Sequence, residues 1–179
     1  MEKAILPVSK FDAARRQLET AIRLYFFQGD PISIHTLASA AAQILHDLSR
    51  HRGGDPMVFR DVFLQHFRTE QQPEIKKTLA AAENFFKHAD RDPECVLRFR
   101  VGQTELVLLE AVEAYHKLTS ELVPLLAVYH MWFMIEAGRV VPAEVEAVRR
   151  KVRQAFTTTS RQAFLSEVLP LAVSLGTEP

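Results

Sequence analysis

The sequence predicts an all-α fold, an up-and-down helical bundle, on three grounds. Apolar residues recur at three- and four-residue spacing through most of the 179 residues. Asp-Pro pairs and glycines punctuate the chain where helices of ordinary length would start and stop. The one alternating stretch, "ECVLRFRVG" (94–102), has no second strand to pair with and reads as a connector. About five core helices are expected, with one or two C-terminal helices added. The expected organisation is a single helical domain over 1–179, its core at about 9–137 and a helical extension at 141–175.

Taken in order, the first helix shows Phe11, Leu18, Ile22 and Tyr25 on one face, with Arg15, Arg16, Glu19 and Arg23 off it. Ser9 is its expected N-cap, with Asp12 three residues on, and Gly29 its expected end. Asp30 caps the second helix, and Pro31 suits the first helical position because its missing N–H would be unpaired there anyway. Ile34, Leu37, Ala38, Ala41, Leu45 and Leu48 form its stripe, and Gly53-Gly54 close it. Asp55-Pro56 opens a third helix, to about Phe67. Pro73 opens a fourth, with Ile75, Leu79, Ala82, Phe86 and Ala89 along its inner face. Asp92 precedes Pro93, which disfavours the helical region and stops the chain there. Residues 103–119 form the next helix. Glu121 to Glu136 follow, apolar nearly all round, as in the buried centre of a domain or half of an oligomer interface. Gly138 ends that segment. Val141, Val145, Val148, Val152 and Phe156 mark an amphipathic helix, and a short last helix starts near Ser160.

Composition excludes the simplest electrostatic functions. Twenty-two basic residues balance twenty-two acidic ones, so no global field draws the chain to nucleic acid or anionic lipid. An RNA-binding role would need a local patch. Cys95 is alone, which rules out an intrachain disulfide. "MEKAILPVSKFD" lacks the apolar core of a signal peptide, and the longest apolar run is too short for a membrane span. The expectation is a cytoplasmic protein with no membrane partner.

The densest polar stretch is "NFFKHADRDP", residues 84–93. Asn84 and His88 lie on one ridge of the fourth helix, roughly opposite Phe86, and Glu83 and Lys87 lie on a neighbouring ridge as a favourably oriented pair. Such ridges are often simply solvated. They also have chemical potential: an imidazole transfers protons near neutral pH, Asn84 could orient it or a phosphate, and Lys87 or Arg91 could steady negative charge. "SIHTLASAAAQILHDL" and "NFFKHADRDP" resemble segments of a bacterial family of unsettled function associated with the HEPN superfamily of small helical domains, over roughly residues 10–137. HEPN ribonucleases carry an Arg, a polar residue such as Asn, a short spacer and a His. Asn84 and His88 match the last two, whereas the Arg position holds Glu83, which would repel the phosphate that Arg would bind.

The resemblance implies a homodimer with motifs facing across the interface, and a degenerate, non-catalytic member that binds RNA, a nucleotide or a protein. The binding residues would be Lys87, Arg91 and His35 around Asn84 and His88. Two alternatives stand beside it: a metal-independent ribonuclease with His88 and Asn84 as catalytic residues, and a structural or interaction homodimer with Tyr129, Trp132 and Phe133 at the interface.

The remaining constellations read as structural. His35 and His46 lie three turns apart, about 16 Å along the axis, too far to share a metal. Each suits a boundary histidine hydrogen-bonded to a neighbouring helix, although His35 could face His88 if the second and fourth helices are antiparallel. Glu113-x-x-His116 has the spacing of bundle metal sites but occurs once, where a di-iron site needs it twice. No metal ligand set and no cofactor are expected. "RRKVR" (149–153) suits an ion-laced surface helix, with no interleaved aromatic platform for single strands.

Overall fold

A computed structural model of the chain describes residues 5–53, 70, 72–90, 93–136 and 160–175. Among the described residues there are six helices and no strand: α1 (Lys10–Phe26), α2 (Pro31–His51), α3 (Gln72–Lys87), α4 (Gln103–Thr119), α5 (Pro124–Glu136) and α6 (Arg161–Leu175). The all-α class is therefore correct. The expected helices at 55–67 and 141–156, the basic run 149–153, Gly138 and Arg91 lie outside the described residues.

The helix starts follow from local chemistry. Ser9 Oγ accepts from the Asp12 N–H at 3.0 Å, and the Asp12 carboxylate accepts from the Ser9 N–H at 3.1 Å. This reciprocal box satisfies two otherwise unpaired donors and lowers the pKa of Asp12 through its bonds to Ser9. Asp30 accepts from the Ser33 N–H at 2.7 Å, with Pro31 entering α2 behind it. The turn between them differs from expectation. Gln28, not Gly29, takes the left-handed conformation (φ 55°), and the Gly29 N–H donates to Leu24 O at 2.8 Å. A Cβ at Gly29 would sit 3.0 Å from Leu24 Cδ2, so glycine serves there by its small size.

α1 and α2 form a hairpin, and α4 lies along α2 and touches α1. Contacts at both ends set the direction of α4. His35 near the start of α2 meets Thr104 near the start of α4, and the Arg52 guanidinium after α2 donates to Leu118 O near the end of α4, at 3.1 Å. The two helices run parallel. Ala38, Ala41 and Ala42 are fully buried, and their small side chains let the neighbouring helices close in. α5 packs on α1 and α4, α6 covers α5 and reaches α1, and α3 packs against α2.

The apolar segment expected at 121–136 becomes helical only at Pro124. Tyr129, Trp132 and Phe133 are 0%, 6% and 7% exposed, enclosed within their own chain. Trp132 stands edge-on between Phe26 and Phe164, with ring centroids 6.1 and 5.1 Å away. The last helix is longer than expected: it runs fifteen residues, past Pro170, which has no N–H to give the preceding turn.

Candidate functional site

α3 ends at Lys87, and the His88 N–H donates to Asn84 O at 3.0 Å in its final turn. The helix stops short of the Asp92-Pro93 boundary the sequence suggests. Phe86 is the last residue of the expected stripe with an aromatic partner, and Ala89 is exposed, so another turn would bury little. Asn84 and His88 are both exposed. Beside them the Lys87 ammonium donates to a Glu83 carboxylate oxygen at 2.7 Å, the i,i+4 pair the spacing predicts. Lys87, on the ridge beside Asn84 and His88, is thus matched by a carboxylate at contact distance.

His35 is placed differently. It is 2% exposed, with Nδ1 3.1 Å from the Thr104 hydroxyl oxygen. Its ring meets Phe86 of α3 and Phe99 of the following connector edge-on, at 5.8 and 4.9 Å, and those two rings meet each other at 5.1 Å. The boundary-histidine reading fits: a neighbouring helix supplies the hydrogen bond. The end of α3 does meet the start of α2, but it delivers Phe86 to the imidazole while His88 stays exposed. Burial lowers the pKa of His35. The Glu83 charge opposes that shift, and the Lys87 charge adds to it.

A second polar cluster, absent from the sequence-based expectations, begins at the adjacent residue. Glu105 Oε1 accepts from the Tyr25 hydroxyl at 2.9 Å and from the Arg161 guanidinium at 3.0 Å. Trp132 Nε1–H donates to the Tyr25 oxygen at 3.2 Å, and the Tyr129 hydroxyl donates to Glu105 O at 2.7 Å. The guanidinium carbon of Arg161 lies 4.0 Å from the Tyr25 ring centroid. Burial first, then the Glu105 charge, pushes the Tyr25 hydroxyl well above the ordinary phenol value of 10. Burial likewise raises Tyr129. Both phenols hold their protons and act as hydrogen-bond donors to Glu105. The cluster ties α1, α4, α5 and α6 together.

The other candidate constellations resolve into separate contacts. Glu113 faces His130 at 3.8 Å, and His116 Nδ1 lies 3.3 Å from Glu121 O. Among the described residues no group of three or more His, Cys, Asp or Glu side chains converges to hold a metal ion. No described helix is long and apolar enough to cross a membrane. Comparisons with protein-family models, curated proteins and solved structures find no match to this chain.

Proposed function

We propose that this chain is a HEPN-like, non-catalytic helical binding module that presents the end of α3 to a protein partner. The observation that carries this reading is the Glu83–Lys87 bond. At the position where a ribonuclease of this kind would set an arginine against the phosphate, a carboxylate stands, and it also neutralises the nearest lysine. His35 supplies no second surface imidazole, being enclosed by Phe86 and Phe99. Among the described residues of α3, Asn84 and His88 then stand at the surface as hydrogen-bonding groups beside an internally matched ion pair. Such a surface suits a polar protein contact better than a nucleic-acid backbone, whose binding draws most of its affinity from unmatched cations.

A cytoplasmic location and self-pairing are part of the same proposal. Site-specific photocrosslinking in cells tests it. A crosslinker at Asn84 should capture one discrete protein, identified by mass spectrometry, where the same group at exposed Glu167 captures none. Capture of a second copy of this chain would place the α3 end at a homodimer interface. Capture of RNA in place of protein would overturn the ligand class. The same distinction appears in vitro: single-stranded RNA should bind the wild type more weakly than about 100 μM at physiological salt, the weak end of non-specific affinity.

A further inference from the structure

We propose that His35 is an acid-sensitive latch: protonation of its ring releases the end of α3 and the 93–100 connector from α2 and α4. This goes beyond the binding role and does not depend on it.

The placement of the ring makes the case. His35 sits where three elements meet, touching Phe86 of α3, Phe99 of the connector and Thr104 of α4. α3 packs mainly on α2 among the described helices, so this junction is a substantial part of its docking. The neutral imidazole suits the junction, with one nitrogen on the Thr104 hydroxyl and much of the ring against aromatic carbon. A second N–H and a full positive charge suit it poorly, because burial against aromatic carbon disfavours the charged form and, among the described residues, the Glu83 charge that favours it is opposed by Lys87.

Among the described residues, the charges on each element do not rescue it. On α3, Glu83 and Lys87 lie 2.7 Å apart and act on the imidazole in opposite senses. On the connector, Arg98 and Arg100 flank Phe99 and are exposed. On α4, Glu105 is bonded to Tyr25 and Arg161. On α2 itself, Asp30 is bonded to the Ser33 N–H. Release of the latch therefore lets a charged His35 reach water at the cost of the Phe86 and Phe99 contacts. Because burial lowers the folded pKa from 6.5, docking is at full strength above pH 6.5. It weakens as pH falls below that value, until the pH passes the folded pKa.

Cys95 gives direct access to the motion. It is the sole cysteine, it is exposed, and it lies in the connector. A nitroxide attached there should report a growing mobile fraction as pH is lowered from 8 to 5. Hydrogen exchange, corrected for its intrinsic pH dependence, should show the opening equilibrium of residues 84–100 rising by up to about tenfold per pH unit, the limit for uptake of one proton. His35→Gln keeps a partner for Thr104 without titrating and should abolish the pH response, whereas His88→Asn should leave it as in the wild type. A flat wild-type profile, an unchanged response in His35→Gln, or a response lost in His88→Asn would overturn the proposal. If His35→Gln does not fold, exchange in the wild type decides. Loss of protection confined to the end of α3 and the 93–100 connector supports the latch, and uniform loss through every helix contradicts it.

Discussion

Thr104 and Glu105 are neighbours at the start of α4, yet they anchor regions of opposite construction. Glu105 gathers side chains from α1, α5 and α6, around rings of Tyr25, Phe26, Tyr129, Trp132 and Phe164 that meet edge to face. Thr104 holds one imidazole, and beyond that imidazole lie two phenylalanines and the exposed end of α3. The first region is over-determined, since Glu105 and Tyr25 each join several elements. The second, among the described residues, centres on one imidazole and two phenylalanines, and it carries the solvent-facing Asn84 and His88. A binding surface presents exposed polar groups, whereas a scaffold relies on redundant contacts.

Substitutions can break this contrast at either end. Phe26→Ala should be the most damaging, lowering global stability by about 3–5 kcal/mol in denaturant titration, because Phe26 is fully buried and edges three other rings. Glu105→Gln keeps an acceptor for Tyr25 but removes the charge that Arg161 answers. With both partners 37% exposed, the loss should be only about 1 kcal/mol, read from the same titration. Ser9→Ala should cost a similar amount, about 1 kcal/mol, and should fray the first turn of α1 in exchange experiments without touching either region. A double-mutant cycle of Glu83→Gln and Lys87→Met should return the smallest effect, about 0.2–0.5 kcal/mol of coupling. A coupling of several kcal/mol there would mean that the α3 end is as firmly built as the core.

The two regions also differ in how much of them the sequence reveals. Ser9 with Asp12, Asp30 with Pro31, and Glu83 with Lys87 act within one helical turn, and each was legible because its spacing is its mechanism. The bounds of α4 also match the expected 103–119, although no side-chain cap marks its start. The scaffold cluster was not. Tyr25 and Glu105 are 80 residues apart, Tyr25 and Trp132 are 107 apart, and no periodicity links them. Only the placing of Glu105 in the first turn of α4, where a carboxylate suits the helix dipole, was a local signal. His35 falls between these cases. Its edge position on the α2 stripe pointed to a neighbouring helix, but Thr104, 69 residues away, could be named only from the fold. Asn84 and His88 were identified as a pair by spacing. That His35 would be enclosed by Phe86 and Phe99 depended on how α3 docks, which the local pattern does not encode.

The central claim, that Glu83 leaves the Asn84–His88 ridge a binding surface without catalysis, is tested most directly by RNA cleavage without metal, using wild type, His88→Ala and Glu83→Arg side by side. The account predicts no cleavage by wild type or His88→Ala, whatever Glu83→Arg gains. Wild-type cleavage that disappears in His88→Ala would contradict it and identify a ribonuclease that tolerates a carboxylate beside its phosphate site.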